Sequence, residues 1–229
     1  MKKNIISISA AMILLSLFIM QGCKKDDTTP PVISLGGSST VNHILNSSYT
    51  DAGATATDDE DGDVSVTSDY SSTNPNKDLT GTYIITYTAT DAAGNVATAS
   101  RTVIVYNEAA AAYAGTYNAS ETDILGPYTY VQQNVVSASQ TVNNRITLTR
   151  LGDFANNTVY MNITGTTIDL PNQTVANVGT GTNPCDVHDR TSNGTGVKTT
   201  QGFNLTYNDS KVAPCTGSRT NVQAVFIKQ

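Results

Sequence analysis

The sequence predicts an all-β chain of two antiparallel modules, and three observations carry the prediction. Only 14% of the 229 residues are charged, well under the roughly 25% usual in soluble domains. Thr, Asn, Ser and Gly stand in their place, beside many Val and Ile, a composition suited to strands and tight turns. Short runs alternate apolar and polar residues at period two, as half-buried strands do. Gly-, Asn- and Asp-containing segments punctuate those runs at short intervals. The net charge of −6 excludes a general nucleic-acid binder, which needs a basic footprint.

The chain opens on a targeting segment. Lys2 and Lys3 precede an apolar stretch of 16 residues, 5–20, too short for a spanning helix of about 20 residues and read as the core of a signal peptide. The stretch ends in Met20-Gln21-Gly22-Cys23. These residues resemble a bacterial lipobox, which implies a signal peptide over residues 1–22, cleavage before Cys23 and acylation of its thiol. The other reading is an ordinary secretory signal with an incidental Cys. Cys23-Lys24-Lys25-Asp26-Asp27 resembles the surface-export signal of Bacteroidetes lipoproteins. Lys25, Asp26 and Asp27 would then direct the anchored protein to the outer face of the outer membrane; otherwise they are a solvated tether. Loss of Lys2 and Lys3 leaves 11 basic against 19 acidic side chains, a mature charge of −8.

Residues 23–31 form the tether and end in Pro30-Pro31, a semi-stiff extended lead into the first strand. The composition changes again at Asn107-Glu108-Ala109-Ala110-Ala111-Ala112. Residues 30–106 carry nine acids and two bases, whereas residues 107–229 carry eight acids and seven bases. That asymmetry divides the chain into a first module over 30–106, a linker over 107–112 and a second module over 113–229. The Ala run is too short to stand as a helix without packing.

In the first module, Val32-Ile33-Ser34-Leu35 is the opening strand and Val64-Ser65-Val66-Thr67 a half-buried one. Residues 82–90 and 96–106 flank Asp91-Ala92-Ala93-Gly94-Asn95 and form an antiparallel hairpin. Ordered motifs run through this module: Tyr49-Thr50-Asp51-Ala52-Gly53-Ala54, Ala56-Thr57-Asp58, Asp61-Gly62-Asp63, Gly81-Thr82-Tyr83 and residues 87–95. Together they resemble the immunoglobulin-like modules repeated in bacterial surface proteins. The resemblance implies an Ig-like β-sandwich acting as spacer or adhesion unit, with Tyr83 as a tyrosine corner at the start of the penultimate strand.

The second module repeats short β-rich runs at 145–149, 158–164, 165–171, 202–207 and 222–227. About eight such strands predict a meander, closed as a barrel or folded as a sandwich. Ala114-Gly115-Thr116-Tyr117 and residues 165–173 are similar to the C-terminal, calycin-like domains of Bacteroidetes lipoproteins. That likeness implies a cup able to hold a ligand.

Cys185 and Cys215 remain once Cys23 is acylated, and an even pair in an exported chain predicts a disulfide. Closing that loop of about 31 residues stabilises by roughly 3–4 kcal/mol in the chain-entropy model. His188 follows Cys185 by three positions, but a Zn²⁺ site needs the thiols that the disulfide uses. His188 and His43 therefore read as loop and surface residues. Asp58-Asp59-Glu60-Asp61-Gly62-Asp63 is the densest acidic run, with two readings. Asp58, Asp59, Asp61 and Asp63 could supply oxygens to Ca²⁺, or the run is a polar turn in which Asp and Gly are favoured for backbone reasons. The run does not fit the EF-hand spacing. No other cofactor is expected.

The sequence holds no nucleophile elbow, phosphate-binding Gly loop or His-Glu-x-x-His segment. The expectation is a non-catalytic surface lipoprotein, anchored in the outer membrane, that binds an extracellular ligand such as a glycan or a surface protein. Two alternatives stay open: a purely structural or protein-contact spacer, and a hydrolase whose carboxylate pair only the fold would reveal.

Overall fold

The structure is a computed structural model and describes residues 26–123, 126–152, 157–175, 189–212, 215 and 217–229. The chain divides into two compact units. One takes Met1–Gly37, Ala52–Ser68 and Thr86–Ala99; the other takes Ser38–Asp51, Asp69–Ile85 and Ser100–Gln229. The fold is all-β, with Ig-like sheets followed by a closed barrel.

The N-terminal strands are β1 (Val32–Leu35), β2 (Thr40–Ile44), β3 (Ala54–Asp58), β4 (Gly62–Val64), β5 (Val66–Ser68), β6 (Gly81–Thr90) and β7 (Val96–Tyr106). They form one sheet in the order β1-β3-β4 and a second in the order β2-β7-β6-β5. β2 runs parallel to β7. The run Val64-Ser65-Val66-Thr67, expected as one strand, is two. Val64 pairs with Ala56 and Val66 with Ala89, so the chain changes sheets at Ser65. A bend of this kind lets one segment serve both layers of a sandwich.

Tyr83 takes up the tyrosine-corner contact, its hydroxyl donating to the carbonyl of Leu79 at 2.9 Å. In β7 the period-two pattern sets Arg101 in phase with Val103 and Val105, and all three are buried. Arg101 is 1% exposed. Its guanidinium pairs with Asp51, and its Nε donates to the carbonyl of Ser38 at 3.1 Å. A buried guanidinium is tolerable only with such partners.

A one-turn helix, α1 (Ala109–Tyr113), follows Asn107. The Asn107 side chain fixes it: Oδ1 accepts the N–H groups of Ala109 and Asn144, while Nδ2 reaches the carbonyls of Ser139, Val142 and Arg145 at 2.8–3.1 Å. Tertiary contacts of this kind sustain a helix too short to persist alone.

The barrel strands are β8 (Gly115–Asp123), β9 (Gly126–Ala138), β10 (Arg145–Thr149), β11 (Thr158–Thr164), β12 (Thr167–Val175), β13 (Arg190–Lys198), β14 (Gly202–Lys211) and β15 (Ser218–Lys228). Each pairs antiparallel with the next, and β15 closes on β8. Closure leaves no exposed strand edge.

Alternate residues point inward and fill the lumen, as in β10, where Ile146 and Leu148 are fully buried. Phe203 stacks on Phe226 at 4.5 Å between ring centres, with Tyr117 edge-on at 5.3 Å. An eight-stranded barrel encloses just enough room for its own side chains. In β13, an added Cβ would lie 2.4 Å from the Thr206 carbonyl at Gly194 and 2.2 Å from the Asn204 carbonyl at Gly196. The wall bends too tightly there for any other residue.

Candidate functional site

The targeting residues Cys23 and Lys25, and both Cys185 and His188, lie outside the described residues. Cys215 is buried, 5% exposed, and disulfide-bonded. Among the acids proposed for a cation, Asp59, Asp61 and Asp63 are exposed. Asp61 Oδ2 accepts the Ala92 N–H at 2.7 Å. Asp58 alone of the four is buried, and it converges instead with Asp27 and Asp91, residues from two other segments.

His43 contacts a hydroxyl: its Nε2 lies 3.1 Å from Ser47 Oγ. The pair closes a turn. Ser47 Oγ donates to the Ile44 carbonyl at 2.6 Å, and His43 Nε2 also meets the Ser47 carbonyl at 3.2 Å. A nucleophile–base pair would need the hydroxyl proton directed at the ring nitrogen.

Among the described residues of the barrel, a group of charged side chains lies inside it. Tyr207 donates to Glu121 Oε1 at 2.9 Å, and the Gly152 N–H donates to the same oxygen at 3.2 Å. Arg219 binds Asp209 through Nε at 3.2 Å and Nη2 at 3.1 Å, and Nη2 also reaches the Tyr207 hydroxyl at 3.1 Å. Arg190 Nη1 meets the same Asp209 carboxylate at 2.9 Å. Glu121 and Asp209 are 1% and 2% exposed.

Burial, followed by the charge of Glu121, pushes the Tyr207 phenol far above its ordinary value. Burial works against the charge of Arg219, but hydrogen bonding to Asp209 and the charges of Tyr207, Asp209 and Glu121 together outweigh it and raise the pKa. Burial lowers that of Arg190, with the Asp209 charge opposing. The network ties β8, β13, β14 and β15 together at their charged ends. Beside it is a cavity of about 10 Å³ lined by Leu151, Asn157, Val175 and Ser192 among others, room for about one water.

The signal for this network was present in part. Tyr117, Ala119 and Glu121 share one face of β8, and Phe203, Leu205, Tyr207 and Asp209 share one face of β14. Period two therefore places both acids among core residues. Arg219 is out of phase with Val222, Ala224 and Phe226. The β14–β15 register shifts between Tyr207 and Asp209, and Asn221 has φ 59°. That bulge turns Arg219 inward.

Beside α1, an open groove of about 510 Å³ is lined by Tyr117, Lys198, Thr199, Thr200, Gln201 and Lys228 among others. Tyr117 is 1% exposed and donates to the Tyr113 carbonyl at 2.6 Å. The groove's lining is mixed, with Ala112 and Ile227 beside the polar residues and Lys228 beside Lys198.

Residues 33–105 match the family model of the bacterial surface protein Ig-like domain. No curated protein matches the chain. Among solved structures, it is similar to a lipoprotein of Bacteroides thetaiotaomicron at 16% identity, covering 87% of this chain and 100% of that one, with a TM-score of 0.33. A second is a structure from ZmpB of Clostridium perfringens, a carbohydrate-binding module with GlcNAc and INT domains. It is 19% identical, covers 53% of this chain and 30% of that one, and has a TM-score of 0.25. A third is a multidomain protein including DUF1735 from Bacteroides ovatus, at 10% identity, 84% and 92% coverage and a TM-score of 0.25. TM-scores this low carry neither fold nor function across to this chain.

Proposed function

We propose that this chain is a lipid-anchored cell-surface accessory protein of a Bacteroidetes-type outer membrane, non-catalytic, whose barrel meets an extracellular glycan through its outer surface. The observation that carries the reading is the filled lumen. Phe203, Phe226 and Tyr117 occupy it, and the cavity beside the buried ion pairs holds about 10 Å³. The described residues leave little room inside the barrel, so we place the ligand on its outer surface, where the groove of about 510 Å³ has the size of a small-molecule site.

The chemistry of the groove's lining supports a hydroxyl-rich ligand. Thr199, Thr200 and Gln201 offer neutral donors and acceptors, and Lys198 and Lys228 add positive charge. The match of residues 33–105 to a bacterial surface module, together with the lipobox-like run ending at Cys23, supports display at the cell surface. The buried acids support a non-catalytic role. Glu121 and Asp209 are neutralised by Arg219 and Arg190 and are shut away from any substrate.

The test is glycan-array binding by the acyl-free chain over residues 24–229, beside a Thr200→Ala/Gln201→Ala variant. Binding that the variant loses supports the reading. Absence of binding to every glycan would favour the spacer or protein-contact alternative, which the filled lumen also suits.

A further inference from the structure

We propose that Asp27, Asp58 and Asp91 form a Ca²⁺ site that fastens the membrane tether to the Ig-like module. The three carboxylates come from the tether, from the end of β3 and from the turn after β6. Each offers an oxygen such that all three lie within 4.8 Å of one another. Ligands at about 2.4 Å from a common Ca²⁺ span at most that distance.

The cluster is arranged to leave oxygens free. Asp58 Oδ1 accepts the N–H groups of Glu60 and Asp61 at 2.9 and 3.0 Å, and Asp27 Oδ1 accepts that of Thr29 at 2.9 Å. Asp91 is held through Oδ1 by the Asn95 N–H at 2.8 Å and through Oδ2 by Asn95 Nδ2 at 2.8 Å. Asp58 Oδ2 and Asp27 Oδ2 are buried and meet no hydrogen-bond donor among the described residues. Asp58 is 9% exposed and Asp91 7%. A buried carboxylate oxygen without a donor is strongly disfavoured, and three anions at this separation raise that penalty unless a proton or a cation lies between them.

Charge favours the cation. The described residues of this compact unit, 26–37, 52–68 and 86–99, hold eight acids and no Lys, Arg or His. Hard carboxylate oxygens, with waters filling the remaining positions, suit Ca²⁺, and extracellular modules bind it in the range of about 10⁻⁴–10⁻³ M. Asn95 Nδ2 also reaches the carbonyls of Asp27 and Thr29 at 3.2 and 3.3 Å. The tether is thereby laid against the same turn that presents Asp91. Since Cys23 lies four positions before Asp27, an ion here would stiffen the first joint after the lipid anchor.

The experiment titrates CaCl₂ into the acyl-free chain over residues 24–229 by calorimetry, and compares melting in CaCl₂ with melting in EDTA. Expected are binding of one equivalent and a higher Tm in CaCl₂, by mass action. Asp58→Asn and Asp91→Asn should each weaken binding tenfold or more. Asp63→Asn, an exposed acid of the same loop outside the cluster, should change it less than twofold. Asp27 precedes the first strand, so Asp27→Asn should keep the melting point in EDTA while weakening Ca²⁺ tenfold. Melting indifferent to EDTA with no heat of binding would overturn the proposal, pointing to shared protons or a tether ammonium in place of the ion. Equal losses in Asp63→Asn and Asp58→Asn would overturn it too.

Discussion

Tyr207 donates its phenolic proton to Glu121 across 86 positions of sequence, at 2.9 Å and inside the barrel. The contact joins a strand that opens the barrel to one near its end. Burial holds the Tyr207 phenol far above its ordinary value of 10, and burial raises Tyr113 and Tyr117 as well. Above that pH the unfolded chain releases protons that the folded chain retains. The stability these phenols carry is therefore complete below pH 10 and is lost progressively as the pH rises past it. Denaturant midpoints should fall from about pH 10 upward, and Tyr207→Phe should show a shallower fall. Identical alkaline slopes in the two proteins would dissociate Tyr207 from the effect.

The filled lumen makes a second prediction. Phe203 is fully buried against Phe226, Tyr117 and Tyr113. Phe203→Ala should reduce stability by about 3–5 kcal/mol. Phe203→Leu should lose less, because it keeps most of the volume. A loss under about 1 kcal/mol for Phe203→Ala, read from urea unfolding, would mean that the lumen is looser than described.

Arg101 and Asp51 form a buried ion pair in the Ig-like module, at 1% and 4% side-chain exposure. Arg101→Met should cost about 3–5 kcal/mol, since it strands a buried carboxylate. Adding Asp51→Asn should recover part of the loss. A double variant no more stable than Arg101→Met would show that the charge of Asp51 is not the source of the penalty.

Cys215 is disulfide-bonded and buried, and Cys185 is the partner expected from sequence. Non-reducing mass spectrometry of the mature chain should show peptides carrying Cys185 and Cys215 linked and two hydrogens lighter than the free pair. Reduction should lower barrel stability by roughly 3–4 kcal/mol. Two thiols open to alkylation without reductant would refute the pairing.

The sequence was legible where one residue type has one structural use. The alternation at Arg145-Ile146-Thr147-Leu148-Thr149 is β10 as expected, and Tyr83 occupies its corner because its reach to Leu79 is local. It was illegible where position depends on distant backbone. β13, Arg190–Lys198, has few apolar side chains, and its strand character comes from partners on both sides. The acidic run left a cation site and a polar turn both open, and the carboxylates that meet are not those of the run alone. Asp58 points into the module while Asp59, Asp61 and Asp63 face solvent, and the convergence with Asp27 and Asp91 depends on three segments meeting. Arg219 turns inward only through a bulge at Asn221, which no periodicity announces.

Surface display is the claim on which the proposed function depends, and protease accessibility on intact cells tests it most directly. Bacterial lipoprotein processing attaches more than one acyl chain, enough for stable anchoring, so the mature protein should fractionate with membranes and be shaved from intact cells by added protease. Lys25→Ala with Asp26→Ala leaves Cys23 and Asp27 in place, and should give a lipidated protein that resists shaving until the outer membrane is opened. Wild-type protein protected on intact cells, and cleaved only after lysis, would contradict the account.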